Sequence, residues 1–259
     1  VLFMQNTQVA GGAKYFSSTR IAVIAVLSAI AAVLYILKFP ISVIFPSWLE
    51  LNFSDIPALI GTFALGPASG AIIVAVKIVL ELLFTGTTTM FVGDFADLIL
   101  GCAFVVPAGL IYKHNRTFKG ALIGLIVGAV CSTALGILAN WLILVPFYMQ
   151  FFFGGSWEPL LSIMSAIFGE VTRETFYTFY LWCSVLPFNA LRCIIAIIVV
   201  LPVYKHISRV INRLNARLTP KERTEEQTKK LSLRLIIIGV VLLAIIAAVI
   251  LLNFFLKLY

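Results

Sequence analysis

An all-α integral membrane protein is the fold class that these 259 residues predict. Three observations lead there. The chain is 61% hydrophobic and 12% charged, with a mean hydropathy of +1.08, whereas a soluble domain is about half apolar and a quarter charged. Its apolar residues gather into segments approaching the ~20 that a helix needs to cross hydrocarbon. These segments lack the alternation with inward polar residues that a barrel requires, and a helix satisfies its own backbone hydrogen bonds in lipid.

Seven segments follow in order. The first, 21–39, ends before Pro40 and is too long for a signal-peptide core, so it reads as a retained span. A loop with Pro40, Pro46, Trp48 and Glu50 leads to a short second segment, 55–65, with Pro57 in its first turn. GPASG (66–70) reads as a tight turn before segment three, 71–84. The small, polar stretch TGTTTMFVGD (85–94) precedes segment four, 95–112, and segment five covers 121–148. A longer connection, 149–173, contains GGSWEP. Segment six is 174–204 and segment seven 235–256. Between them lies a basic linker in which Thr219-Pro-Lys-Glu222 has the form of a capping box, predicting a short surface helix.

Charge orients the chain. With segment ends on alternating sides, Lys14, Arg20, Lys113, Arg116, Lys119 and the basic run 205–234 share one side. Lys38, Arg173 and Lys257 take the other. The positive-inside rule then places the N-terminus in the cytoplasm and, with seven spans, the C-terminus outside, as in a multi-pass protein of the cell membrane. The net charge of +8 is juxtamembrane charge suited to anionic lipid headgroups and calls for no nucleic acid. The domain reading is 1–20 cytoplasmic, 21–207 a membrane domain, 208–234 a cytoplasmic linker and 235–259 a further transmembrane helix.

Catalytic and metal signatures are missing from the sequence. Cys102, Cys131, Cys183 and Cys193 lie in apolar runs with no CxxC pair, and His114 and His206 have no second ligand at metal spacing. There is no HExxH, GxSxG or P-loop, so an enzyme acting on a lipid-linked substrate has no nucleophile–base pair to rest on. No metal or cofactor site is assigned. A scaffold for other membrane proteins remains a competing class, with the basic linker as its best argument.

Polar residues inside apolar sequence carry the functional expectations. SVLPFNALRC (184–193) holds Asn189 and Arg192 three apart, just after Pro187, which cannot bond the Cys183 carbonyl and so loosens the helix. Lipid penalises such groups, so they should face the bundle interior. Lys77, Glu81 and Asp97 are the other ionisable residues near the spans; Lys77 and Glu81 can pair at i, i+4, and Asp97 can pair with Arg192 or serve a ligand. Segment one has Ala25 and Ala29, and one face over Ser28 and Ala32, small residues four apart that admit a close partner helix. A ladder of Gly120, Gly124, Gly128, Ser132, Gly136 and Asn140 in segment five reads as close packing within the bundle. Asn140, beside Trp141, either holds a planar polar ligand or makes an interhelix hydrogen bond.

Four stretches, LNFSDIPALIGTFALGPASGAIIVAVK (51–77), VGDFADLILGCAFVVPAGLIYK (92–113), NWLILVPFY (140–148) and LPFNALR (186–192), together resemble the substrate-binding S component of energy-coupling-factor (ECF) vitamin transporters, most closely the riboflavin-specific member. The resemblance covers about residues 15 to 207. It implies a six-helix, vitamin-binding bundle, to which segment seven is an addition, and high-affinity uptake of riboflavin or flavin mononucleotide through an outward-facing pocket. It also implies a passive subunit without ATPase activity, docked through Ala25, Ala29, Ser28 and Ala32 onto a transmembrane scaffold subunit that two cytoplasmic ATPases drive. The vitamin would be the transported ligand, with Asn140 and Asn189 reading a ring edge, Arg192 and Asp97 beside them, Phe45 and Trp48 covering the ring, and Thr88 contributing from the 85–94 stretch. Two departures stand out: Asp97 where the family usually has asparagine, and Arg192 where riboflavin members usually carry lysine. An S component for another vitamin, such as pantothenate, is the alternative.

Overall fold

A computed structural model describes residues 18–87 and 89–216, with side chains from Arg20 to Tyr204. Thr88, the capping box at 219–222, the 217–234 part of the linker and the seventh segment lie outside the described residues. The described chain is helical: α1 (Ser18–Ile36), α2 (Asp55–Leu65), α3 (Pro67–Thr85), α4 (Val92–His114), α5 (Phe118–Ala139), α6 (Val145–Phe151), α7 (Glu158–Phe168), α8 (Phe176–Thr178) and α9 (Leu186–Ala216). Among the described residues, four stretches are long and apolar enough to cross a membrane: Pro67–Thr85, Val92–His114, Phe118–Phe151 and Phe176–Tyr204. The helices around Arg20–Ile36, Asp55–Leu65 and Glu158–Phe168 are apolar but shorter.

Prolines set the local geometry. Gly66, at φ 100°, ends α2, and Pro67 opens α3 at once. PASG is therefore the first turn of α3 rather than a separate turn, because proline suits N1, where its missing N–H is not needed. Pro146 and Pro187 act differently. Each sits just after a stretch of wide, i→i+5 turns, Asn140–Leu144 and Phe179–Val185 respectively. A proline removes one i→i−4 bond and clashes with the carbonyl it would have met, so the ladder ahead of it widens. The Leu186 N–H bonds the Leu181 carbonyl and the Val145 N–H bonds the Asn140 carbonyl, each five residues back. Widened turns of this kind gather at functional sites.

Two features depart from the sequence reading. The connection 149–173 contains a helix, α7, whose Leu160 and Met164 are buried against Phe176 and Tyr180. α9 also runs past residue 207 to Ala216.

The main core joins α1 to α5 and α9 through residues such as Leu59, Ile73, Phe104, Leu125 and Val200. The glycine ladder turns inward. A Cβ on Gly124 would come 2.7 Å from the Ala108 carbonyl oxygen, and one on Gly128 would overlap that of Phe104. Ser132 Oγ donates to the Leu100 carbonyl at 2.9 Å. Small residues let α5 lie directly on the α4 backbone, as in other lipid-embedded helix pairs.

The molecule has two unlike ends. At one, Arg20 Nη2 donates to the Leu65 carbonyl at 2.6 Å and its guanidinium also binds Ser69, beside the α2–α3 junction and near the α4 end that carries Lys113. At the other, the chain from α1 to α2 pairs Phe39 with Leu51 and Pro40 with Glu50 in a two-residue antiparallel ribbon. That loop packs Phe45, Leu49 and Leu51 against Phe188 of α9.

Candidate binding cleft

Beneath this ribbon lies a partly open cleft with about 770 Å³ of empty space, counted together with the solvent at its mouth. α4 lines it with Asp94 and Asp97, the α5–α6 junction with Asn140 and Tyr148, α9 with Asn189 and Arg192. Tyr35, Lys38, Trp48 and Glu50 complete it from α1 and the first loop. The helices deliver these groups from four separate parts of the chain, and the wide turns tilt Asn140 and the approach to Asn189 toward one space.

A charge network forms the floor. Arg192 Nε donates to Asp55 Oδ2 at 2.8 Å, and its Nη1 to Asp97 Oδ1 at 3.3 Å. Nη2 lies 2.8 Å from the same Asp55 oxygen as an ion-pair contact but makes no aligned hydrogen bond among the described residues. Asp55 Oδ1 accepts from Lys77 Nζ at 2.9 Å, which also donates to Ser54 Oγ at 2.6 Å. Lys77 is fully buried, as is nearly all of Asp55 and Arg192. One carboxylate thus neutralises two cations. Breaking such a buried pair costs about 3–5 kcal/mol, because a bare charge remains. The Tyr35 hydroxyl donates to Asp97, and the Lys38 and Lys77 ammonium groups each lie 5.4 Å from the Tyr35 ring centre.

This corrects the expected Lys77–Glu81 pair. Lys77 reaches across to α2, and Glu81 instead meets Lys38 at 3.5 Å. An exposed i, i+4 pair is worth only a few tenths of a kcal/mol, so a buried carboxylate on a neighbouring helix wins. Lys38 also meets Glu50 at 3.2 Å, which ties the ribbon to the end of α1.

The amides are arranged more tightly than expected. Asn140 Nδ2 donates to the Gly136 carbonyl at 2.9 Å, and its Oδ1 accepts from the Tyr180 hydroxyl at 2.6 Å. Tyr180 in turn accepts from Trp48 Nε1 at 3.0 Å. Asn140 therefore makes the interhelix bond and lines the cleft as well. Asn189 Nδ2 donates to the Val185 carbonyl at 2.9 Å, while its Oδ1 makes no bond among the described residues. A Cβ on Gly136 would come 3.0 Å from this amide, so glycine there is what admits it.

Asn140, Asn189, Arg192, Asp97 and Trp48 thus share one cleft. Phe45 does not line it: its ring packs edge-on against Phe188 at 5.4 Å, one layer behind, because an apolar ring gains more from that cluster than from a charged cleft. On α1, Ala25 and Ala29 are exposed, whereas Ser28 and Ala32 are buried and belong to the bundle interior rather than to a docking face. Their offset around the helix separates the two small-residue rows.

Asp55, Tyr35, Lys38, Glu50 and Tyr180 escaped the sequence reading. Two cations in apolar sequence needed anions, and Asp55 was in view inside SDIPALIG; its position in a first helical turn, where acids are common, hid its role.

A family model for the ECF transporter substrate-specific component matches residues 19–204. The chain belongs to that family. Among similar proteins, the riboflavin transporter RibU of Staphylococcus aureus (strain TCH60) is 32% identical over 189 residues, covering 73% of this chain and 90% of that protein. The riboflavin transporter FmnP of Bacillus subtilis (strain 168) is 31% identical over 181 residues, covering 70% of this chain and 87% of its own length. A solved structure described as "Structure and mechanism of the S component of a bacterial ECF transporter" matches with a TM-score of 0.58 at 32% identity, covering 75% of this chain and 98% of that one. As an S component, the protein is a membrane transport subunit and not an enzyme. Its cleft and its buried ion network sit within the span that the family model matches.

Proposed function

We propose that this S component captures riboflavin in the cleft beneath the first loop, for uptake by an ECF transporter. The observation that carries the reading is the likeness to a riboflavin transporter, over 73% of this chain and 90% of that protein. The cleft chemistry agrees with it. The Asn189 amide and the Arg192 guanidinium both line the cleft, and Asn189 Oδ1, which makes no bond among the described residues, is an acceptor for the polar edge of a planar heterocycle. Trp48 lines the same space and supplies a flat apolar wall.

The partners follow from the same reading. The chain passes its ligand to a transmembrane scaffold subunit, and two cytoplasmic ATPases drive the transfer. Ala25 and Ala29 form the docking surface, flanked by the exposed Ile21, Val26 and Val33. Six spans build the vitamin-binding bundle (21–207), and the basic linker leads to a seventh at 235–259. The basic end faces the cytoplasm with the N-terminus, and the cleft faces outward.

Calorimetric titration of the purified chain with a vitamin panel tests the substrate. Riboflavin should bind at one per chain and pantothenate should not. A folded sample that binds pantothenate and leaves riboflavin free overturns the assignment.

A further inference from the structure

Resting on the riboflavin reading, we infer that Tyr180 is a positioning residue for the cleft: from behind the wall, its hydroxyl couples the seating of the first loop at Trp48 to the orientation of the Asn140 amide.

Three hydrogen bonds form one chain. Trp48 Nε1 donates to the Tyr180 hydroxyl oxygen at 3.0 Å, the Tyr180 hydroxyl donates to Asn140 Oδ1 at 2.6 Å, and Asn140 Nδ2 donates to the Gly136 carbonyl at 2.9 Å. The two ends of the chain fix its direction. An indole N–H only donates, and a backbone carbonyl only accepts. The Tyr180 oxygen therefore takes the indole hydrogen and gives its own to Asn140. Turning the amide over would set its oxygen against the Gly136 carbonyl oxygen. It would also aim the amide N–H at a hydroxyl that already accepts from the indole. The Gly136 carbonyl is shared with the backbone N–H of Asn140, so the bond to Tyr180 is the second anchor of the amide.

The setting suits a residue that acts through others. Tyr180 is fully buried and does not line the cleft, whereas Trp48 and Asn140 both do. Its ring stacks on Phe176, with centres 5.4 Å apart and planes 18° apart, and packs with Leu160 and Met164 of α7. It stands in the wide-turn stretch Phe179–Val185, and Asn140 opens the other such stretch. α7 and both widened turns thus hold one hydroxyl in place. Its third partner, Trp48, comes from the loop between α1 and α2. With that loop seated, the indole, hydroxyl and amide are all satisfied. With Trp48 lifted away, the Tyr180 oxygen is free to accept from the amide, and the amide loses its fixed sense. A ligand edge that meets an amide already held this way does not bear the cost of ordering it.

The test is a set of double-mutant cycles on the full-length chain, read by riboflavin fluorescence titration per folded protein. Tyr180→Phe keeps the ring and its packing and removes only the hydroxyl; it should weaken riboflavin binding by about tenfold. In an Asn140→Ala background the same change should cost no more than about twofold, because the group it orients is gone. Trp48→Phe keeps an aromatic wall and removes the N–H donor; the loss it causes should be about fivefold smaller in the Tyr180→Phe background than in the parent. A role in packing alone would give the same factor in every background. If Tyr180→Phe does not fold, the cycle of Trp48→Phe with Asn140→Ala decides in the same way, since these two residues share Tyr180 and no bond with each other among the described residues. Full riboflavin affinity in Tyr180→Phe, or equal factors in any of these cycles, overturns the inference and leaves the riboflavin reading intact. A folded parent that leaves riboflavin free overturns that reading, and the inference with it.

Discussion

Asp55 holds two buried cations with one carboxylate, and that economy makes it the most exposed point of the fold to mutation. Asp55→Asn keeps the shape and removes the charge, leaving Arg192 with Asp97 alone and Lys77 with no ion-pair partner among the described residues. We expect a loss of about 3–5 kcal/mol, seen as a marked fall in the thermal midpoint of the detergent-solubilised protein; a midpoint unchanged from the parent would mean the network adds nothing to stability. Arg192 has a second duty at the cleft. Arg192→Ala should abolish riboflavin binding, whereas Arg192→Lys should keep part of it, because a point charge still answers Asp55 while the planar fork is lost. Flavin titration of both variants decides, and full affinity in Arg192→Ala would make this side chain purely structural. The sequence made Arg192, Asp97, Asn140 and Asn189 legible, because polar groups in apolar runs must face protein. It could not reveal which acid each cation takes, since Asp55 and Lys77 are 22 residues apart and only the α2–α3 hairpin brings them together.

At the scale of elements, α1 has one face in the bundle and one outside it. Ser28, Ala31, Ala32 and Tyr35 are buried, whereas Ala25 and Ala29 face out. A close helix–helix approach needs small side chains. Ala25→Trp or Ala29→Trp should therefore abolish transport and co-purification of the scaffold subunit while the isolated chain still binds riboflavin; normal transport by both variants would contradict the docking face. α5 offers an internal contrast. Gly128→Leu drives a side chain into the Phe104 carbonyl, so it should lower the thermal midpoint and the yield of folded protein without touching the cleft directly. The start of α2 was readable because Pro57 marks its first turn, whereas that of α3 was not, because GPASG has the composition of a turn although Pro67 opens the helix. α7 was not, because its 11 residues are too few for a span and the GGSWEP that leads into it has the composition of a loop. The wide turns before Pro146 and Pro187 were half readable: proline announces a broken ladder, but whether it kinks or widens depends on the neighbours it meets.

Across the whole molecule, the two ends divide the work. The basic end around Arg20 and Lys113 is closed by the α2–α3 junction and by the mutual packing of Phe63, Tyr112 and Tyr204, with ring centres 4.7–5.6 Å apart. The other end is open, and the ribbon and Trp48 lie across it. Membrane class and helical fold were evident from composition alone, since a chain this apolar has few other ways to satisfy its backbone in lipid. The cleft itself was not, because its walls come from α1, the first loop, α4, α5 and α9, and no local pattern reports their convergence. The central claim is that riboflavin occupies this cleft, and the most direct measurement is a fluorescence titration of the purified chain beside its Asn189→Ala variant. The parent should quench one equivalent of riboflavin, and the variant, having lost one buried hydrogen-bond partner worth about 1–3 kcal/mol, should need roughly tenfold to a hundredfold more protein to do so while melting at a similar temperature. Riboflavin fluorescence that stays unquenched by the folded parent, or an Asn189→Ala variant that binds as tightly as the parent, would contradict the account.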